Sequence, residues 1–256
     1  MKIQEGSYVL LFHTQSKKWL TKVTLEKKFH THLGIIDISS IIGMDYGTSI
    51  ITTEGKTVYL AEPTAYDFVM KSKRSTQIVY PKDLGFIAAR TGLKNGSRVL
   101  EVGTGSGALT TFMAGIVKPE GHIYTFDINK DFLTTARQNL EKAGMIEHVT
   151  MHHHNVHDGI PLKNMDIAVV DLGDPWTVLS EVYETLKGSG SFVAICPTIN
   201  QLEKTSMALK ENSYIDIESV ELMIRNIEAR EGMTRPSMRM IGHTTYLIFA
   251  RKALSS

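Results

Sequence analysis

Residues 98–107 read Arg-Val-Leu-Glu-Val-Gly-Thr-Gly-Ser-Gly, an apolar segment followed at once by three glycines at alternate positions. The segment 98–102 has the composition of a buried strand, and the residues after the glycines predict a helix from Gly107 to Ile116. In α/β proteins, a strand, a turn and a helix in this order place a ligand at the carboxyl end of the strand. The glycines allow the backbone to bend tightly and to approach that ligand closely.

Strands and helices alternate downstream of this loop, which predicts a parallel sheet with helices on both faces. The predicted strands are 98–102, 123–127, 149–153, 166–171 and 190–195, with two later strands at 215–223 and 244–250. The predicted helices are 107–116, 131–143, 177–186 and 199–211. Gly144 stands where a helix C-terminal stop belongs. The fold class is therefore α/β, with a Rossmann-like sheet.

The residues upstream of the loop predict a different kind of structure. Short apolar or β-branched runs predict strands at 8–12, 19–23, 34–37, 49–52 and 57–60. Glu54-Gly55-Lys56 predicts a hairpin between the last two. Pro63 and Pro81 are each suited to the first turn of a helix. We therefore predict three segments: a small all-β domain at 1–62, a helical linker covering the active site at 63–96, and the α/β domain at 97–256.

Composition places broad limits on the protein. The 256 residues are 42% hydrophobic with a formal net charge of +1, which supports a packed core and argues against wholesale disorder. Residues 1–90 contain 12 Lys and Arg against 8 Asp and Glu, a mild excess that suits an anionic polymer. The single cysteine, Cys196, excludes a disulfide within the chain. Since no signal peptide and no apolar run of about 20 residues is found, we expect a cytoplasmic protein without a membrane segment.

The acidic residues around the glycines indicate a nucleoside ligand. Asp127 ends the second strand about 20 residues past the glycines, where a carboxylate can accept both ribose hydroxyls. A dinucleotide is disfavoured, because its fingerprint places the third glycine three residues after the second, whereas Gly107 follows Gly105 after two. Glu101 would also repel a pyrophosphate but suits a cationic ammonium or sulfonium. The pattern resembles motif I of class I methyltransferases, which implies S-adenosylmethionine as cofactor.

Two further loops follow strands of the same sheet. In the methyltransferase fold, the loop Asn155-Val-His-Asp158 reaches the cofactor adenine: Asn155 or Asp158 can accept from its amino group, and Val156 can pack on its face. A turn role for Asn155 remains the alternative. Asp171-Leu-Gly-Asp-Pro-Trp176 follows the fourth strand and faces the transferred methyl group in class I enzymes.

These loops, together with Thr76–Asp83, Arg235-Pro236 and Gly242–Tyr246, resemble the tRNA (adenine-N1-)-methyltransferases that modify the T-loop at position 58, and in archaea also at 57. The resemblance covers essentially the whole chain and implies a class I methyltransferase sheet, a tRNA substrate and a homotetramer. The expected cofactor contacts from the loops and from Gln77 are Gln77, Glu101, Gly103, Gly105, Ser106, Gly107, Ala108, Leu109, Asp127, Asn155, Val156, Asp158 and Asp171.

The chemistry of adenine N1 suggests the catalytic residues. N1 has a lone pair and no proton, so it needs no general base, and positive charge develops on the purine. A carboxylate that accepts from the exocyclic amino group stabilises that charge selectively, and Asp171 is our candidate. Tyr80 is the candidate for stacking on the extracted base, with a core tyrosine as the alternative.

The predicted tRNA contacts are Tyr80, Lys82, Arg235, His243, Lys27 and Lys28. The N-terminal lysines are open to a second interpretation, a solvated surface that blunts sheet edges. The histidines at 152–154 and 157 do not predict a metal site, because successive strand residues face opposite sides.

Two alternative functions remain open: a class I methyltransferase with another substrate, and a non-catalytic RNA-binding subunit.

Overall fold

The computed structural model describes residues 1–74 and 76–254; Ser75, Ser255 and Ser256, which fall within the predicted linker and the predicted α/β domain, lie outside the described residues. The chain forms two compact units, Met1–Ser72 and Lys73–Ser256. The division between them falls inside the segment 63–96, so the first predicted helix of that segment belongs to the N-terminal unit and the second to the C-terminal unit. The covering role of this segment stays a prediction.

The N-terminal unit is built mainly of short antiparallel strands. Its elements are β1 (Tyr8–Thr14), β2 (Lys17–Lys22), β3 (Lys28–Thr31), β4 (Gly34–Asp37), β5 (Ser49–Ile51), β6 (Thr57–Ala61) and the helix α1 (Ala65–Met70). One sheet has the order β2-β1-β6-β5, and β3 pairs with β4. The predicted hairpin at Glu54–Lys56 joins β5 to β6. Strand β3 was not predicted, because its four residues alternate between exposed and half-buried positions and give no apolar run.

The C-terminal unit contains the α/β architecture. Its elements are α2 (Pro81–Thr91), β7 (Arg98–Val102), α3 (Ala108–Val117), β8 (His122–Asp127), α4 (Lys130–Ala143), β9 (Val149–His153), β10 (Met165–Val170), α5 (Leu179–Thr185), β11 (Leu186–Cys196), α6 (Ile199–Glu211), β12 (Tyr214–Glu221), β13 (Ile227–Glu228), β14 (Arg235–Pro236) and β15 (Tyr246–Lys252). Local signals define the helix ends. Pro81 begins α2, and Gly92 and Gly144 end α2 and α4 in the left-handed conformation.

The central sheet has seven strands in the order β12-β15-β11-β10-β7-β8-β9. The pairs from β11 to β9 are parallel, as predicted, whereas β15 is antiparallel to both of its neighbours. The expectation of an all-parallel sheet is therefore corrected to a mixed one. The sheet thus has the α/β, Rossmann-like architecture expected from the sequence, and the chain has an additional N-terminal β unit.

Three segments differ locally from the prediction. The helix predicted at 177–186 is a 3-10 turn at Pro175–Val178 followed by the short α5, and β11 begins already at Leu186. The hairpin β13–β14 was not predicted, since its strands have only two residues each. Among the described residues, no helix has the length and apolarity needed to cross a membrane.

The sheet register brings the candidate residues to one edge. Val102 is paired with Phe126 on β8 and with Val170 on β10. Gly103, Asp127 and Asp171 therefore lie at or just after the carboxyl ends of three adjacent parallel strands. Near these strand ends, Leu100, Phe126 and Val170 belong to a cluster of buried side chains that forms the core.

Candidate active site

The glycine loop is held against the Asp171 loop. Gly103 has a φ of +94° and its N–H donates to the Phe126 carbonyl at 2.8 Å, while Asp171 N–H donates to the Val102 carbonyl at 2.8 Å. A Cβ atom at position 103 would overlap the Asp171 carbonyl oxygen. Gly107, with a φ of +74°, precedes α3, and a Cβ there would lie 2.9 Å from the Ala136 Cβ. Both positions therefore require glycine for close approach as well as for conformation.

Glu101 presents a buried carboxyl group at the end of β7. The Thr110 hydroxyl donates to its Oε2 at 2.6 Å, while Oε1 is buried and accepts no hydrogen bond from the residues that the structure describes. The pKa of Glu101 is raised to about 8, mainly by burial and to a smaller extent by the Asp171 and Asp127 carboxylates, against the lowering effect of the Thr110 hydrogen bond. An unpartnered buried carboxylate oxygen of this kind is suited to a cationic ligand.

Asp127 is oriented by two backbone groups. Its Oδ2 accepts from Gly105 N–H at 3.0 Å and its Oδ1 accepts from Asn129 N–H at 2.8 Å. The side chain is half-buried, so the carboxylate remains accessible for further hydrogen bonds. Ser106 lies on the same loop, and its hydroxyl is hydrogen-bonded to the Thr76 hydroxyl at 2.9 Å.

Asp171 lies between two adjacent pockets. The first, which we call the glycine-loop pocket, has a volume of about 20 Å³ and is lined by residues 76–79, residues 103–106, Ala108, Leu109 and Asp171. The second, the Tyr80 pocket, has a volume of about 80 Å³ and is lined by residues 77–80, Asp83, Asp171, Ile195, Pro197, Thr244 and Thr245. Burial raises the pKa of Asp171 to about 6, with a further contribution from Asp127. At neutral pH the Asp171 carboxylate is thus mostly ionised and borders both spaces.

The loop that carries Asp171 is anchored from α6. Gln201 Nε2 donates to the Gly173 carbonyl at 2.8 Å, and the Lys204 ammonium lies 4.8 Å from the centre of the Trp176 ring. The half-buried Trp176 therefore takes part in packing that fixes the Asp171 loop.

Tyr80 and Gln77 both line the Tyr80 pocket. Tyr80 is half-buried at the N-terminal end of α2, and the exposed Gln77 donates through Nε2 to the Tyr80 hydroxyl at 3.3 Å. The stacking role of Tyr80 and the ligand-binding role of Gln77 stay predictions.

The 155–158 loop is not among the residues that line the glycine-loop pocket. Asn155 Oδ1 accepts from His157 N–H at 3.2 Å and caps a 3-10 turn, which is the alternative role left open by the sequence. Val156 is buried in the core cluster, and Asp158 is exposed. Contacts of this loop with the cofactor adenine stay predictions.

The side chains predicted to contact tRNA differ in the hydrogen bonds and ion pairs that they form within the protein. The Lys82 ammonium forms a buried ion pair with Asp83, at 2.7 Å, rather than facing solvent. His243 is hydrogen-bonded to Glu221 and to the Pro197 carbonyl, and Arg235, on β14, lies 3.5 Å from Glu228. In the N-terminal unit, the Lys27 ammonium donates to the Thr21 hydroxyl at 2.8 Å, whereas Lys28 is exposed.

The histidine-rich strand β9 has structural contacts of its own. His152 stacks on Phe126 with ring centres 4.4 Å apart, and burial lowers its pKa. His153 and His154 are hydrogen-bonded through Nε2 to backbone carbonyls. Among the described residues, no group of three or more His, Cys, Asp or Glu is arranged to hold a metal ion.

Several residues of the site were not assigned from the sequence, and four polar ones among them are Thr76, Asp83, Thr110 and Thr244. Three of them lie inside motifs quoted above, so their neighbourhood was visible but their roles were not. Thr110 does not belong to a quoted motif. Only its place as the third residue of α3 could have indicated that its side chain reaches Glu101.

The residues present fit S-adenosylmethionine. A glycine cradle, the unpartnered Glu101 Oε1 and the oriented Asp127 carboxylate match a nucleoside that carries an ammonium and a sulfonium group. A pyrophosphate-bearing nucleotide would instead meet Glu101, Asp127 and Asp171 around one loop.

Comparison with known proteins assigns the family. A family model described as "tRNA methyltransferase complex GCD14 subunit" matches residues 56–234. The chain is 37% identical to the tRNA (adenine(57)-N(1)/adenine(58)-N(1))-methyltransferase TrmI of Methanocaldococcus jannaschii, over 96% of this chain and 95% of the relative. It is 28% identical to the tRNA (adenine(58)-N(1))-methyltransferase TrmI of Thermus thermophilus, over 88% of each.

Solved structures agree with this assignment. The structure of tRNA (m1A58) methyltransferase TrmI from Aquifex aeolicus matches with a TM-score of 0.86 and 30% identity, over 100% of both chains. A protein from Thermotoga maritima, described as a SAM-dependent O-methyltransferase, matches with a TM-score of 0.93 and 37% identity, over 100% of this chain and 96% of that one. The glycine loop, the Asp171 pockets and these likenesses lead to one conclusion: the chain belongs to the GCD14/TrmI family of S-adenosylmethionine-dependent tRNA (adenine-N1-)-methyltransferases.

Proposed function

We propose that this protein methylates N1 of adenine 58 in the T-loop of tRNA, with adenine 57 as a second possible target. The observation that supports this most directly is the position of Asp171, which lines both the glycine-loop pocket and the Tyr80 pocket. A donor held in the first and a base held in the second would meet beside one carboxylate.

The residues of this site supply the electrostatics that N1 methylation needs. When bound, S-adenosylmethionine provides an electrophilic methyl group on a cationic sulfur. Asp171, as an acceptor for the exocyclic amino group of adenine, stabilises the positive charge that the purine gains. Tyr80 borders the same pocket and provides an aromatic surface for the base, and the geometry of the two pockets contributes by positioning.

Cofactor binding is assigned in this proposal to the glycine loop and its neighbours. Glu101 faces the cationic end of the cofactor and Asp127 accepts the ribose hydroxyls, while residues 103–109 enclose the centre. Asn155, Val156 and Asp158 are retained as the expected surroundings of the cofactor adenine.

The exposed arm, which we define as residues 223–241, supports binding of RNA and a second subunit. Four arginines on it are exposed: Arg225, Arg230, Arg235 and Arg239. Seven large apolar side chains on it are also exposed: Met223, Ile224, Ile227, Met233, Met238, Met240 and Ile241. An exposed apolar set of this size is typical of an interaction surface. We therefore propose a homotetramer, held in part by these apolar residues, that binds tRNA through arginines and Lys28 in the cytoplasm.

Methyl transfer to an unmodified tRNA transcript, followed by nucleoside analysis, tests the reaction. We expect 1-methyladenosine, and we expect it to be lost from a transcript with adenine 58 replaced by guanine. A matched transcript with adenine 57 replaced identifies the second target. Product formation that is unaffected by both replacements would contradict the proposed site on tRNA.

A second candidate is transfer to oxygen, because the Thermotoga maritima structure is described as an O-methyltransferase. The same nucleoside analysis distinguishes the two, since a 2′-O-methylated nucleoside separates from 1-methyladenosine. N1 of adenine has no proton to lose, whereas a hydroxyl acceptor would need a base, a role that the Asp171 carboxylate would then have to take.

A further inference from the structure

Asp83 and Thr244 line the Tyr80 pocket, and Asp83 forms a buried ion pair with Lys82. The Lys82 ammonium, on the first turn of α2, lies 2.7 Å from Asp83 Oδ1 and 2.8 Å from Oδ2, and it donates to the Thr244 hydroxyl at 2.7 Å. The Asp83 side chain has no exposed surface and that of Lys82 is 10% exposed. Contacts within the protein therefore occupy the Lys82 ammonium.

Thr244 connects this ion pair to a distant part of the chain. Its hydroxyl accepts from Lys82 and donates to Asp83 Oδ2 at 3.2 Å, although it lies 162 and 161 positions away from them. Tyr80, two residues before Lys82, and Thr245, next to Thr244, also line the Tyr80 pocket. The three-residue contact thus joins the start of α2 to the segment that precedes β15.

The same segment has a second attachment one residue earlier. His243 contacts Glu221 Oε1 through Nδ1, at 2.6 Å, and the Pro197 carbonyl through Nε2, at 2.8 Å. Both partners are acceptors, so both ring nitrogens donate when the ring is protonated. Pro197 also lines the Tyr80 pocket, so the His243 contact connects the 243–245 segment to a further residue of that pocket.

We propose that Lys82, Asp83 and Thr244 are positioning residues for the target base, and that Lys82 does not bind a tRNA phosphate. The proposal rests on the proposed function for the identity of the base. Because the cluster joins two walls of the pocket, losing it would shift Tyr80 and Thr245 relative to Asp171. A displacement of about 1 Å in an active site lowers turnover by as much as ~100-fold.

The experiment compares Thr244→Val, which removes only the hydroxyl, with Thr244→Ser, which keeps it. Hydrogen–deuterium exchange of the full-length free protein, which requires no substrate, should show faster exchange at 242–246 and 80–84 in the valine variant alone. In tRNA methylation, the valine variant should lose roughly tenfold or more in kcat with little change in the KM for S-adenosylmethionine, whereas the serine variant should stay within about twofold.

Lys82→Met tests whether Lys82 binds a tRNA phosphate, with Lys163→Met as the matched control. Lys163 is an exposed lysine paired with Glu184 on the same unit. A lysine that binds a phosphate contributes about one unit to the slope of log affinity for tRNA against log salt. We expect an unchanged slope in both variants.

Unchanged exchange in Thr244→Val would overturn the positioning role, and so would equal kcat values in the valine and serine variants. A slope lowered by about one unit in Lys82→Met would overturn the exclusion of a phosphate contact. If Lys82→Met does not fold, the threonine pair still decides the positioning role. Absence of 1-methyladenosine with the unaltered protein, together with the expected exchange pattern, would contradict the proposed function and not the connection between the pocket walls.

Discussion

Binding of S-adenosylmethionine at pH 6.5 should release about one proton from the protein. Burial raises the pKa of Glu101 to about 8 in the free protein, so at pH 6.5 roughly 97% of this carboxyl group is protonated, by the ordinary titration relation. A cation placed beside it favours the ionised form, and binding therefore expels the proton. The ligand's own amino group, with a pKa of about 8, stays charged at this pH and adds little.

Isothermal titration calorimetry in buffers of different ionisation enthalpy measures the number of protons released. Glu101→Gln is the control, because glutamine keeps an acceptor for the Thr110 hydroxyl but has no titrating proton. In the variant, Asp171 has a pKa of about 6 and is therefore roughly a quarter protonated at pH 6.5. The variant can release only this fraction of a proton. A parent protein that releases no proton would refute the assignment of Glu101 as the partner of the cofactor cation, and a variant that releases as many as the parent would do the same.

The raised pKa of Glu101 also affects stability. The carboxyl group holds its proton in the folded state after the unfolded chain has lost it, so the free protein should lose stability as the pH rises from about 4.5 to about 8. Thermal unfolding of the parent and of Glu101→Gln across this range should show a steeper decline for the parent.

Three further predictions concern the reaction, the loop near the pocket and the RNA surface. Asp171→Asn should lower kcat by roughly 10²–10³-fold, because it keeps the shape but removes the charge; near-normal turnover would remove Asp171 from the mechanism. NMR titration should give His243 a pKa above the ordinary value, which Glu221→Gln lowers, since the glutamate stabilises the charged ring; the stabilisation this ring provides is lost as the pH rises through that pKa. Lys28→Met should reduce the salt dependence of tRNA binding by about one unit, measured by titration at several salt concentrations, whereas Lys27→Met should not, because Lys27 is bonded to Thr21.

The parts of the fold that could be predicted are those that depend on neighbouring residues. The strand at 98–102, the glycine turn and the stop at Gly144 each follow from a few adjacent side chains. The reversed direction of β15 could not be read in this way, because a buried strand is apolar whichever way it runs. The prediction of a helix at 177–186 was too long because its apolar spacing is helical throughout, whereas residues 175–178 form a 3-10 turn.

The candidate site likewise has one part that could be predicted from the sequence and one part that could not. The glycine-loop pocket is formed largely by one continuous motif and could be predicted, although the roles of its residues stay predictions. The Tyr80 pocket combines residues 77–80 and Asp83 with Ile195, Pro197, Thr244 and Thr245, which are far apart in the sequence. The sequence predicts Lys82 as an RNA contact, and it gives no sign that the Lys82 ammonium donates to Thr244, which lies 162 positions further along the chain.

Residues 76–79 form a shared partition between the two pockets, since three of them line both. The space between this partition and the glycine loop is about 20 Å³, whereas small-molecule sites usually hold roughly 300–1,000 Å³. If the donor binds in this space, we expect residues 76–79 to move outward, which would also change the shape of the Tyr80 pocket. By reciprocity, a base already seated there alters the affinity for the donor by the same factor. The two reactants would therefore affect each other's binding through residues 76–79.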